Sequence, residues 1–260
     1  MSTAVRVTFP SERVAMVTID RPNKRNACDF DAWTALGDAF LTLATRDELR
    51  AMVLTGGGGH FCAGNDIGAA AAMANHPDYA ERHTLIVERC FNGLRQMPFP
   101  VVAAIQGACV GGGCGLAGYC DFRLADRTAR IGITAVAQAG AYPTALLARL
   151  VGIVGQSAAR RWLYGGALHA AQDAARDGFV DRVVGGDVVN TALELASEWL
   201  DKEPLALRAC RLQIDAIVEN ALDTRRDEID AAITATRTSA ARQEAVTAFL
   251  TKRRPGVNGR

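Results

Sequence analysis

Residues 5 to 9 and 14 to 19 alternate apolar and polar positions around a short Pro10-Ser11-Glu12 turn, which predicts a hairpin of half-buried strands. A loop over Arg21 to Cys28 follows. From Asp29 the apolar residues Phe30, Trp33, Leu36, Phe40 and Leu43 recur at helical spacing, with Asp29 placed to accept backbone N–H bonds in the first turn. Ala51 to Thr55 reads as a short buried strand that runs into Gly56-Gly57-Gly58-Gly59 and on through a loop to Ile67. Tyr79, His83, Ile86, Val87, Cys90, Phe91, Leu94 and Met97 trace one face of a second helix, which Pro98-Phe99-Pro100 ends. The strand Val101 to Ile105 then enters a second glycine-rich stretch. This alternation of strand and helix predicts α/β architecture with right-handed crossovers between parallel strands. After about residue 187 the pattern turns helical, over 188–201, 204–222, 224–237 and 240–252, with Pro204 suited to a first helical position. The expected division is an α/β core over 1–195 and a helical region over 196–260.

Composition narrows the function classes. The chain has 260 residues, 49% of them hydrophobic and 22% charged, as a soluble globular protein does. A net charge of +1 argues against a dedicated nucleic-acid binder, which needs a concentrated positive field. No apolar run approaches a membrane span and the N-terminus alternates like a strand, so a cytoplasmic protein without membrane association is expected. The seven cysteines are odd in number and lack a CxxC pair, which favours reduced, packed thiols over disulfides or a zinc site. No GxSxG elbow is present. Gly113, Gly115 and Gly118 form a formal GxGxxG. The strand directly before it and the acid about 20 residues on that a dinucleotide site requires are missing.

Taken together, the two glycine-rich stretches suggest a different chemistry. Glycines let backbone N–H groups approach a ligand closely, and a helix N-terminus favours negative charge, so two such N–H groups make an oxyanion hole. Arg21-Pro-Asn-Lys-Arg-Asn-Ala27, Val53-Leu-Thr-Gly56, Phe61-Cys-Ala-Gly-Asn-Asp-Ile67 and the glycines 107 and 111–113, in this order, resemble the crotonase (enoyl-CoA hydratase/isomerase) superfamily. The ending Ala245-Val-Thr-Ala-Phe-Leu-Thr-Lys-Arg-Arg-Pro255 is similar to that family's last helix. The resemblance implies a spiral of ββα units, a helical C-terminal part used in trimer formation, often a dimer of trimers, and an acyl-CoA ligand with no cofactor beyond the coenzyme A it carries. It further implies that the backbone N–H groups of Asn65 and Gly112 are the oxyanion donors. Ala63, Asn65, Asp66, Ile67, Gly68, Gly111 and Gly112 would line the thioester and pantetheine, and Lys24 to Ala27 would lie by the adenine. Arg21, Lys24, Arg25, Lys252 or Arg253 could meet the phosphates, although a basic tail is more simply a solvated end.

The sequence also departs from that family. Hydration of an enoyl thioester needs a base to activate water and an acid to protonate Cα, supplied in family hydratases by two glutamates. Their slots fall here on Gly115 and Ala135. Between Glu88 and Asp173 the only acids are Asp121 and Asp126, so no small shift of register restores both carboxylates. Ordinary hydration should be very weak, and the two small residues should leave space for a bulky or carboxylated acyl group. Gln138, Thr134, Tyr119 and Tyr142 are the polar groups nearby. Tyr142 lies seven residues past the empty second slot, and the family's methylmalonyl-CoA decarboxylase is similar in carrying a tyrosine there. Tyr142 would orient a carboxylate or deliver a proton, or be a core aromatic with its hydroxyl satisfied locally. Asp66 would act as acid or base, or as a cap or ion-pair partner. Glu81 and Glu88 belong to a solvated helix face unless they reach the pocket. Two functions remain open: enolate chemistry on an acyl-CoA other than standard hydration, such as decarboxylation, isomerisation or thioester cleavage, and a binding or regulatory protein that holds acyl-CoA without turnover.

Overall fold

The computed structural model describes residues 4–73 and 75–253. Arg254 and Pro255 of the family-like ending lie outside them. The predicted hairpin forms from β1 (Val5–Ser11) and β2 (Val14–Ile19), antiparallel with Val5 opposite Ile19. β2 then pairs in parallel with β3 (Ala51–Gly56), and the sheet continues in parallel through β4 (Val101–Ile105), β6 (Phe122–Asp126) and β9 (Arg182–Val184). β3 and β4 are buried along their whole length, as their unbroken apolar runs require. A second sheet has three short strands, β5 (Ala108–Val110) parallel to β7 (Arg130–Gly132), which pairs antiparallel with β8 (Leu168–Ala170).

α1 (Phe30–Ala44) starts where expected, with Asp29 Oδ1 accepting the Ala32 N–H at 2.9 Å. Its apolar stripe Trp33, Leu36, Phe40 and Leu43 is buried, each such side chain contributing about 1.5–3 kcal/mol. The partner is α3 (Tyr79–Arg95), with Trp33 and Phe91 ring centroids 5.7 Å apart. Gly93 allows this approach, since a Cβ there would stand 3.2 Å from Phe40 Cβ. The remaining helices of the α/β part are α2 (Ile67–Met73), α4 (Gly112–Tyr119), α5 (Thr144–Gly165), α6 (Ala171–Arg176) and α7 (Val188–Ser197). α5 is two helical pieces joined at Gly155, whose φ of 75° is left-handed.

Backbone contacts divide the chain between Ser197 and Glu198. The second unit holds α8 (Pro204–Val218), α9 (Arg226–Thr238) and α10 (Ala240–Leu250), the helices that the sequence pattern predicts. Pro204 occupies the first position of α8. Six of the seven cysteines are buried thiols and Cys210 is exposed. Among the described residues no helix is long and apolar enough to cross a membrane.

Candidate active site

The loop after β3 is held as an extended segment between two neighbours. On one edge Cys62 N–H donates to Ala108 O (2.9 Å) and Val110 N–H to Cys62 O (2.9 Å), so the segment runs parallel to β5. On the other, Cys28 N–H donates to Gly64 O (2.7 Å) and Asp66 N–H to Cys28 O (2.9 Å). Asn26, fully buried, fastens the base of the loop by donating to Gly57 O and His60 O at 2.8 and 2.6 Å. β5 ends in Gly111, whose φ of 53° and ψ of −111° suit only glycine, and Gly112 opens α4. Gly64 permits the two backbones to meet: a Cβ there would lie 2.7 Å from Val110 O and 3.0 Å from Gly112 N. Among the described residues neither the Asn65 N–H nor the Gly112 N–H has an acceptor. The α4 N-terminus adds favourable potential for negative charge at Gly112.

These groups line a cleft of about 180 Å³. Ala63, Asn65, Ile67, Gly111 and Gly112 all face it, and Val87 and Phe91 of α3 with Leu146 of α5 form an apolar wall. The buried Trp33 indole lies beneath, 3.0 Å from where a Cβ on Gly112 would stand, and its Nε1–H donates to Asn65 Oδ1 at 2.9 Å. Thr134, Ala135, Gln138 and Tyr142 complete the lining, with Gln138 Nε2 donating to Thr134 Oγ1 at 3.0 Å. No lining residue is an acid, a histidine, a lysine or an arginine. A larger opening of about 370 Å³, bordered by Asp29, Asp31, His76 and Arg82, has neither of the two free N–H groups.

One expectation about the acid slots needs correction. Ala135 does open on the cleft, but Gly115 offers no space. A Cβ on Gly115 would stand 2.9 Å from Phe91 Cζ and 3.0 Å from Leu146 Cδ1, so the tips of these two side chains must shift before a glutamate could enter there. The Tyr142 hydroxyl donates to Gly111 O at 2.9 Å, and burial pushes its phenol well above the usual tyrosine range. Its proton is therefore committed to the backbone, in a bond that steadies the residue preceding Gly112.

Asp66 is likewise placed away from the chemistry. Its Oδ1 accepts the Ala69 N–H at 3.1 Å in the first turn of α2, and its Oδ2 lies 3.3 Å from Arg21 Nη2. The Ala69 N–H, outweighing the opposing effect of burial, holds the carboxyl below the usual aspartate range, with Lys24 and Arg21 adding to it. Arg21 also bonds Ala27 O and pairs with Asp29 at 2.7 Å, so it is spent on this network and is not free for a phosphate. Lys24, Ala27 and Gly68 lie outside the cleft lining. Arg253 pairs with Glu244. His60 Nδ1 accepts the Ala108 N–H at 3.1 Å, the Tyr119 ring packs at a tilt against Phe91, and Glu81 and Glu88 are exposed on α3. Asp121 and Asp126 accept from the Val101 N–H and from Thr128, away from the cleft.

Asp66→Asn keeps a capping oxygen and removes the charge facing Arg21. A loss of about 1–3 kcal/mol at neutral pH is expected, with little change in turnover, as read by urea denaturation and kinetics. Because the folded carboxyl titrates below its unfolded value, its stabilisation is complete above the ordinary range and lost on acidification. The gap between wild type and variant should therefore close below about pH 4.

The enoyl-CoA hydratase/isomerase family profile matches residues 10–260. The chain is similar to the 2,3-dehydroadipyl-CoA hydratase of Escherichia coli, 32% identical over 253 residues and spanning 96% of each chain. It is 29% identical over 244 residues to the short-chain-enoyl-CoA hydratase of Clostridium acetobutylicum, spanning 93% of each. In structure it superposes on an enoyl-CoA hydratase from Bacillus anthracis with a TM-score of 0.90 at 26% identity, over 99% of this chain and 100% of that one. Over almost all of its length, then, the chain belongs to the enoyl-CoA hydratase/isomerase family, within the crotonase superfamily.

Proposed function

We propose that this protein binds an acyl-CoA thioester and stabilises its enolate between the backbone N–H groups of Asn65 and Gly112, in a reaction that begins without a carboxylate base. The observation that carries the reading is a cleft with two unspent N–H donors and no acid in its lining. Hydration needs water activated by a base, and shifting a double bond needs a proton removed from carbon. Decarboxylation needs neither. The Cα–COO⁻ bond breaks, CO₂ leaves, the electron pair passes into the thioester as an enolate, and Cα then takes a proton from water. Two preorganised donors are suited to that charge, each typically worth about 10²- to 10³-fold in rate. Tyr142 acts in this reading as a positioning residue for the Gly111–Gly112 turn. The same donors would take the oxyanion of thioester cleavage, but there the attacking water must give a proton to a base, and the cleft lining holds none. Self-association as a trimer or dimer of trimers belongs to the same reading and is supported by apolar side chains left exposed on the C-terminal helices, among them Ile214, Ile217 and Phe249.

The test is mass spectrometry of CoA products after incubation with a panel of enoyl-, malonyl-, methylmalonyl- and aromatic acyl-CoAs. Loss of CO₂ is expected from the carboxylated thioesters and negligible hydration from crotonyl-CoA. Tight binding with no turnover across the panel would instead mark a non-catalytic acyl-CoA-binding protein, and rapid hydration would overturn the reading. Tyr142→Phe should lower kcat more than it raises KM, because the Gly111 carbonyl still accepts the Gly115 N–H while the turn loses one restraint.

A further inference from the structure

The side chain of Asn65 has a geometry that its backbone role does not explain. Indole Nε1–H can only donate, so the amide atom 2.9 Å from it is the oxygen, and the orientation of the carboxamide is fixed by chemistry. The amide NH₂ is left without an acceptor among the described residues, on an exposed side chain that lines the cleft. Trp33 is fully buried between α1 and α3, so the anchor itself is rigid. The result is a side-chain donor pinned beside the Asn65 N–H. The other polar groups of the lining are less free: Gln138 donates to Thr134, and Tyr142 donates to Gly111.

We propose that the Asn65 carboxamide, held by Trp33, is the specificity-determining donor for acyl groups that carry a carboxylate on Cα, its NH₂ binding one carboxylate oxygen while the backbone N–H groups of Asn65 and Gly112 take the thioester oxygen. This rests on the proposed function and assigns the substrate class to a named side chain. The donor is neutral, which suits a carboxylate that must leave as CO₂. A hydrogen bond from an amide selects the carboxylated thioester without the ion pair from lysine or arginine that would hold its charge in place.

The experiment compares methylmalonyl-CoA with isobutyryl-CoA, which differ in a carboxylate for a methyl group. Dissociation constants are taken by stopped-flow displacement of a fluorescent CoA, before turnover. Wild type should prefer methylmalonyl-CoA. Asn65→Ala should reduce that preference about tenfold, the scale of one hydrogen bond to a charged group. Asn65→Asp keeps the size and the acceptor for Trp33 but replaces the NH₂ by a second oxygen, and should reduce the preference further. Trp33→Phe, which frees the carboxamide to rotate, should reduce it by less. The assignment is overturned if the preference is unchanged in both Asn65 variants, or if they weaken both ligands alike. If wild type discriminates through Asn65 but releases no CO₂, the reaction is wrong and the recognition stands. If Asn65→Asp decarboxylates with wild-type KM, the recognition is wrong and the reaction stands.

Discussion

Gly64→Ala is expected to lower turnover of any acyl-CoA substrate by about a hundredfold or more, the scale of losing one oxyanion donor. The backbone at Gly64 has φ of 89°, which costs a side-chain-bearing residue about 1–3 kcal/mol. The new methyl group would also lie 2.7 Å from Val110 O and 3.0 Å from Gly112 N, so the strands carrying the two donors must part. Gly59→Ala is the matched control. That position is also left-handed, at φ of 79°, but a Cβ there meets nothing within 4 Å. It should show the cost in stability without the loss in rate. Thermal melts and steady-state kinetics on both variants separate the two effects, and normal turnover in Gly64→Ala would show that the spacing of the two segments is not what the chemistry depends on.

Gly115→Glu should not create a hydratase. The position is buried within α4, and even the first carbon of a side chain meets Phe91 and Leu146 at 2.9–3.0 Å. Overpacking of this kind costs about 1–3 kcal/mol and burying an unpaired carboxylate several more. A fall in Tm of about 10 °C or more is expected for a chain of this size, with crotonyl-CoA hydration no higher than in wild type. Ala135→Glu, at a position open to the cleft, should fold nearly as well as wild type. Hydration gained by Gly115→Glu at unchanged stability would show that Phe91 and Leu146 yield easily, and that the acid slot is vacant in practice.

What could be read from the sequence followed the strength of the local pattern. α1, α3 and the buried strands β3 and β4 were legible because their apolar residues keep one period over many positions. The short strands β7, β8 and β9, of three residues each, are too brief to show alternation. α5 was missed because Gly155 breaks it in the middle, and α2 because its run of alanines has no polar face to set against an apolar one. The site divided in the same way. The glycine pattern pointed to the Asn65 and Gly112 segments, since close backbone approach leaves a mark in residue type. That Gly115 is crowded was not legible, because Phe91 and Leu146 reach it from α3 and α5, elements apart from it in the chain. Trp33 had been legible only as one residue of an apolar stripe, although its single polar atom proves to matter. Arg21 looked available to a phosphate until Asp29 and Asp66 were found on either side of it.

The loop bearing Asn65 takes its shape from main-chain bonds to Cys28 on one side and to Ala108 and Val110 on the other. The side chains that face the cleft at positions 65, 134, 135 and 138 are mounted on that frame, whereas Tyr142 braces it through its bond to Gly111 O. In the proposed reading, activation of the thioester is thus uncoupled from the choice of what is done with it at those four positions. Random substitution at the cleft positions should scatter substrate preference and reaction type while the two donors stay where they are. That makes this cleft a favourable starting point for directed evolution, in which libraries can be confined to a handful of side chains and the glycines left untouched.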